Sequence, residues 1–272
     1  MVTLRIKSFL STKKSIEIVR NMTTDFGLNI LGLKIENSSY HEILAQIESQ
    51  ITSRNTFSLS YVNAHVSLTA QRNSEFLDDM MNYSALFPDG VGIYWASKFL
   101  YGKNGLCERI NGTDLYYKVL ELAEKNEYKV FFFGGDEKHI VSLEARLKAL
   151  YPNLNISGIV ARDLSFSKKI LEKLNQSDSD ILFLGLGTPY QEKWVATLGK
   201  KCNIPIQVSV GSGIDFLSGA YKRAPKLFRI LGFEWLFRLL VEPKRLWKRY
   251  LVGIPTFIFL IIKQKIFGKN QI

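Results

Sequence analysis

From Tyr128 onward the chain repeats one unit: a short run of Val, Ile, Leu or Phe, a turn carrying glycine, then an amphipathic helical stretch. Lys129 to Phe133 runs into Gly134-Gly135-Asp136 and a helical stretch to Tyr151. Asn155 to Val160 reads as a strand and Ser167 to Asn175 as a helix. Ile181 to Leu184 runs into Gly185-Leu186-Gly187-Thr188-Pro189 and a helix through Trp194, and Pro205 to Val210 ends at Gly211-Ser212-Gly213. Apolar runs with so little alternation are buried on both faces, and strands separated by helices pair in parallel. The expected fold is α/β, Rossmann-like: a mostly parallel sheet with helices on both faces. Ligands of such sheets bind outside the carboxyl ends of the strands, so polar groups at those ends are the functional candidates.

The first half of the chain supplies two more strand ends. Phe57 to Val62 alternates and delivers Asn63, with His65 just beyond, while Ala85-Leu86-Phe87 is a short buried strand that ends in Pro88-Asp89-Gly90-Val91-Gly92. Proline fixes its own φ and glycine permits angles closed to other residues, so Asp89 is aimed by its turn and is the candidate catalytic base. Pro-Asp-Gly is also an ordinary surface turn; Asp89 stands out through its place at the ligand edge. Around these, Gly27 to Ile35 reads as a strand or hairpin, and Ser39 caps a helix with Ile43, Leu44 and Ile47 in one stripe, ending near Arg54. His65 to Asn82 reads as one helical stretch and Val91 to Leu100 as another. The polar loop Glu108 to Asp114 enters a helix from Leu115 to Lys125, with Thr113 or Asp114 as its cap. Residues 1–26 show no periodicity and are read as an N-terminal arm.

Several chemistries are disfavoured. Gly185-x-Gly187 is followed by Tyr190 where a dinucleotide fingerprint needs its third glycine, so no nicotinamide or flavin cofactor is expected. Exposed N–H groups at Gly134, Gly135, Gly185 and Gly187 still suit a diphosphate. Cys107 and Cys202 have no metal-ligand or disulfide spacing, His41, His65 and His139 are isolated, and Asp178-Ser179-Asp180 precedes its strand, at the wrong edge of the sheet for a catalytic cation. No metal is expected, and neutralising a leaving diphosphate falls to arginine and lysine. Ser212 lacks a nucleophile-elbow pattern.

Charge marks a boundary near residue 220. From Lys222 to the end there are twelve Lys or Arg against two Glu, so nearly all of the chain's net +11 sits in this tail. The core is read as residues 27–219 and the appendage as 220–272. The appendage mixes Trp235 and Trp247 with Arg238, Arg245 and Arg249, a composition suited to lying on an anionic membrane; a helical pair packed on the core with a solvated basic face is the plainer alternative. Its last apolar run, Leu251 to Ile262, contains Gly253 and Pro255 and is shorter than the roughly 20 residues that span a bilayer. Nucleic acid is disfavoured as partner, because the tail's Trp, Leu and Phe suit lipid better.

Five segments occur together and in order: Asn63-Ala64; Pro88 to Gly92; Glu108 to Leu115; Gly185 to Trp194; and Arg223-Ala224-Pro225 with Glu234 to Leu239 and Glu242 to Arg245. In these the chain resembles the WecG/TagA/CpsF glycosyltransferases, glycosyltransferase family 26, over roughly residues 27–250. The resemblance implies an inverting, metal-independent enzyme, peripheral at the cytoplasmic face of the bacterial plasma membrane. Such an enzyme moves a sugar from a UDP-sugar to a polyprenyl-diphosphate-linked saccharide in surface polysaccharide synthesis. It implies Asp89 as base, Asn63, Gln191 and Asp215 in the donor pocket, and Arg238 and Arg245 as appendage arginines that meet the diphosphate. The shared segments also bring Arg109, Asn111, Gly112, Thr113, Asp114, Glu192 and Arg223 into the expected substrate site. Three departures bear on the donor: Tyr61 stands where the family usually has Thr, Tyr190 replaces a common lysine, and Val160-Ala161-Arg162-Asp163 replaces a Gly-Tyr-Phe run, so no residue is assigned to the uracil. A catalytically inactive membrane scaffold of the same fold is the competing reading. Donor, acceptor, linkage and homo-oligomerisation stay open.

Overall fold

The computed structural model describes residues 27–221 and 223–268; the expected arm, residues 1–26, lies outside the described residues. An antiparallel hairpin opens it, β1 (Leu28–Ile30) and β2 (Leu33–Ile35). Helix α1 (Tyr40–Ser53) is closed at both ends by local chemistry: Ser39 and Glu42 form a reciprocal capping box, and Arg54 takes a left-handed C-cap conformation. Next come β3 (Phe57–Val62), α2 (Ala64–Arg72), α3 (Ser74–Met80), β4 (Ala85–Pro88), α4 (Gly90–Tyr101) and α5 (Gly112–Lys125). The alternating half continues with β5 (Val130–Gly134), α6 (Glu137–Ile140), α7 (Leu143–Leu150), β6 (Ile156–Val160), α8 (Lys168–Gln176), β7 (Ile181–Gly185), α9 (Tyr190–Leu198), β8 (Ile206–Ser209) and α10 (Gly213–Ser218).

Two helical stretches expected as continuous are broken. Asn73 leaves the helical region, and its side chain accepts from Phe76 N–H to start α3, so His65 to Asn82 is two helices. The stretch after Gly135 likewise divides into α6 and α7. The cap of α5 is Asn111, not Thr113 or Asp114: its side-chain oxygen accepts from Asp114 N–H at 3.2 Å, so the helix begins at Gly112.

The six strands β3 to β8 form one parallel sheet in the order β4-β3-β8-β7-β5-β6. Successive residues of each strand feed opposite cores. Phe131, Phe133, Leu182 and Leu184 face one side with Trp194, while Val130, Phe132, Ile181 and Phe183 face the other with Ile43, Val119 and Leu147. This is why the strands read as unbroken apolar runs. At the carboxyl edge β5 and β7 approach so closely that a Cβ on Gly134, whose φ is +135°, would lie 2.3 Å from the carbonyl carbon of Gly185. Gly134 is therefore required by packing, whatever else it does.

The tail folds as α11 (Lys226–Ile230), α12 (Glu234–Val241), α13 (Pro243–Trp247), a π-helical turn (Lys248–Val252) and α14 (Gly253–Phe267). Leu251 to Ile262 is therefore not an isolated short run. It belongs to one helical segment, Pro243–Phe267, of 25 residues, long and apolar enough by length and composition to cross a membrane. Pro255 stands in the first turn of α14, directly after the π-helical turn. That segment is docked along the core: Phe257 and Ile261 are buried beside α2 and α4, and near its end Gln264 accepts from Leu31 N–H at 3.0 Å and donates to Asn29 O at 2.8 Å.

Candidate active site

Parallel pairing of β3 with β4 sets Val62 opposite Pro88, so the residues that follow emerge side by side. Asn63 donates from Nδ2 to Asp89 Oδ2 at 3.2 Å. The other end of the Asn63 amide is committed, because Oδ1 caps α2 by accepting from His65 and Val66 N–H, both at 3.1 Å. This fixes which end of the amide Asp89 meets. Asp89 sits where an N-cap would, yet makes no cap bond; its Oδ1 accepts instead from Gly112 N–H at 2.9 Å. Gly90, at φ +79°, makes the turn that permits this. The carboxylate is thus half-buried, held at both oxygens, and turned into a cavity.

That cavity measures about 570 Å³ and joins the core to the tail. Asn63, His65, Asp89, Arg109, Asn111, Thr113 and Asp114 line it from the core, Arg229, Glu234, Arg238 and Arg249 from the tail. The two sides are tied together around Asn111 and Asp114. Arg223 donates to Asp114 at 2.7 Å, Arg229 to the same carboxylate at 3.4 Å, and Asn111 Nδ2 to Glu234 at 3.1 Å. Burial holds the Glu234 carboxyl above its ordinary range, against the pull of Arg223. Arg109 is spent on Arg229 O at 3.0 Å.

Arg238 and Arg249 are different. Each lies against an aromatic face, Phe216 and Tyr250, and each, like Arg223 and Arg229, has a buried Nε with no hydrogen-bond partner among the described residues. Neither has a carboxylate partner there. Burial depresses the Arg249 guanidinium below its ordinary value, an effect that neighbouring Arg238 adds to. Two half-buried guanidiniums without a carboxylate partner, beside an aimed carboxylate, can hold an anion. Arg245, by contrast, is exposed, bonds Glu242 at 2.6 Å and does not line the cavity. Arg249, one helical turn further on, does.

The remaining candidates gather along the carboxyl edge toward β5. Gln191 Oε1 accepts from Gly211 N–H at 3.0 Å, while its Nε2 donates to Glu192, which also accepts from Thr188 at 3.1 Å. These bonds lash the Gly185–Gly187 turn to the Gly211 turn. Asp215 accepts from Asp136 N–H at 3.3 Å and pairs with His139 Nδ1 at 2.9 Å, holding the Gly134-Gly135 turn from behind. A second cavity of about 390 Å³, lined by Gly135, Asp136, Glu137, Lys138 and Arg162, opens there. Tyr61 is packed over Gly112 with its hydroxyl buried and unpartnered among the described residues, and Tyr190 is exposed. Asp178 and Asp180 lie at the opposite edge, engaged by Lys129 and Arg54 at 2.7 and 2.9 Å.

Glu192 is fully buried under its turn, with Oε2 unpartnered, and burial raises its pKa above the ordinary 4.5. A carboxyl group raised in the folded state stabilises the fold below 4.5 and loses that contribution as pH climbs through the raised value. Glu192→Gln is therefore expected to melt above the native protein at pH 8, by an increment that shrinks to nothing as pH falls below 4.5. Paired thermal melts across that range measure it; an increment independent of pH contradicts the assignment.

The sequence model of the glycosyl transferase WecG/TagA/CpsF family matches residues 28–271. Among curated proteins, the chain is 29% identical over 243 residues to the N-acetylglucosaminyldiphosphoundecaprenol N-acetyl-beta-D-mannosaminyltransferases of Staphylococcus aureus strains NCTC 8325 / PS 47, COL and MSSA476. Each match covers 88% of this chain and 93% of the relative.

Proposed function

We propose, from the premise that this chain belongs to the glycosyl transferase WecG/TagA/CpsF family, that it transfers N-acetylmannosamine or a closely related sugar from a UDP-sugar to a lipid-linked N-acetylglucosamine diphosphate. The chain is a glycosyltransferase; the donor, the acceptor and the single inverting displacement are our reading. One observation carries it. Asp89 shares a cavity with two unpaired guanidiniums and with apolar walls, the three chemistries that a hydroxyl, a diphosphate and a lipid require.

In the reaction the acceptor hydroxyl lies against Asp89. An ionised carboxylate has about four acceptor positions, and Asn63 and Gly112 take one on each oxygen, leaving room for the incoming O–H. As the acceptor oxygen attacks the anomeric carbon from the face opposite UDP, its proton passes to Asp89, the new C–O bond forms and the bond to the diphosphate breaks. The donor runs along the carboxyl edge, its phosphates over the Gly185–Gly187 and Gly211 turns. Adjacent strands are about 4.8 Å apart, so three intervals from β3 to β5 give roughly 14 Å, a fitting length for an extended nucleotide-sugar. Charge leaving with UDP is met by the backbone N–H groups of those turns. We place the enzyme on the cytoplasmic face of the membrane, with the docked helix Pro243–Phe267 lying in the surface: a segment bonded at Gln264 to the β1–β2 hairpin stays with the core.

The test is a screen of UDP-sugars against lipid-linked N-acetylglucosamine diphosphate, reading UDP release and product configuration, with and without chelator. Release with UDP-N-acetylmannosamine, insensitive to chelator and giving the inverted linkage, is expected. A retained linkage overturns the single displacement, and release with no UDP-sugar overturns the substrate assignment.

A further inference from the structure

The Asp89 cavity is two-sided, and the apolar side has no part in moving the sugar. From α4 come Trp95 and Phe99, one helical turn apart on one face; from α14 come Ile254, Ile258, Ile261 and Ile262, again at helical spacing. The two stripes form a groove that opens outward from the arginines. Its outer members are strongly exposed: Trp95 64%, Phe99 51%, Ile258 52% and Ile262 43%. Along these stripes the walls offer no hydrogen-bonding group, apart from the indole N–H of Trp95.

Building on the acceptor proposed above, we infer that this groove seats the isoprenoid chain of the acceptor, the first units lying between α4 and α14 with the diphosphate at Arg238 and Arg249. Charge and continuity select this occupant. The groove begins where two half-buried guanidiniums, each with a buried and unpartnered Nε, have no carboxylate partner among the described residues, so what fills it joins an anion to an apolar chain, and the anionic end must reach within one sugar ring of Asp89. A branched hydrocarbon without polar groups matches walls without polar partners. Burying part of even one five-carbon unit is worth about tenfold or more in affinity.

The test uses the full chain and farnesyl diphosphate, which carries both features and no sugar, against inorganic diphosphate, by titration calorimetry. Farnesyl diphosphate is expected to bind at least about tenfold tighter, and the exposed double substitution Trp95→Ala/Phe99→Ala to remove that advantage. Phe259→Ala/Phe267→Ala, equally exposed on α14 but outside the groove, is expected to keep it. Equal binding of the two ligands overturns the inference. So does an advantage that survives in the groove variant, or one that both variants lose alike, which describes a greasy surface and not a seat. A dissociation constant that rises with protein concentration assigns the groove to a second copy of the chain, and also overturns it. Because the readout needs no sugar transfer, failure here is separate from failure of the donor screen.

Discussion

Asp89→Asn is expected to lower kcat by about three orders of magnitude, within the range general-base catalysis supplies. The substitution is nearly isosteric, and the new amide oxygen can still accept from Gly112 N–H. What goes is the basic oxygen: an amide takes no proton from the attacking hydroxyl. The second side of the amide then presents an N–H to Asn63 Nδ2, which cannot turn away because its own oxygen caps α2. Some displacement of Asn63 follows, so the measurement needs a companion. The KM for the UDP-sugar and the melting temperature separate the two effects. Loss of the base leaves both near native values while kcat collapses; a collapsed site moves all three. Turnover within tenfold of native removes Asp89 as base.

The sequence disclosed the parallel sheet because both of its faces are buried, and that burial is written directly into runs such as Ile181 to Leu184. It placed Asp89 at the carboxyl edge for a related reason: a turn at the end of a buried strand in a parallel sheet has only one edge to face. What it withheld depended on side chains choosing between partners. Asn111 outcompetes Thr113 and Asp114 as cap, which frees Asp114 to receive Arg223 and Arg229. Arg245 and Arg249 share a helix, a charge and a spacing; only the folded chain separates the one engaged by Glu242 from the one turned into the cavity. The nearest available signal was Glu242, three residues before Arg245, the spacing of a helical ion pair. The length of the tail helix was hidden by Gly253 and Pro255, which read as breakers but stand in the first turn of α14.

Replacing Arg238 and Arg249 together by methionine is expected to lower kcat/KM for the lipid-linked acceptor by about 10³, most of it in the acceptor's KM. A hydrogen bond to a charged group contributes roughly 1.5–3 kcal/mol, so each lost guanidinium removes about one to two powers of ten. The KM for the UDP-sugar should move little if these residues hold the acceptor's diphosphate; a large rise there would assign them to the donor instead. Stability gives an independent sign. In the free protein both guanidiniums are partly desolvated with no carboxylate at ion-pair distance among the described residues, a cost that methionine avoids while keeping the contact with Phe216 or Tyr250. The double variant should therefore melt higher, by about 2–4 °C for each kcal/mol recovered. A structural arginine behaves oppositely, since its loss lowers stability and activity together. Lys244→Met, on the exposed surface of the same tail, should change neither by more than about 0.5 kcal/mol. Activity down and melting temperature up is the signature of charge held in place for an anion that arrives only with the substrate.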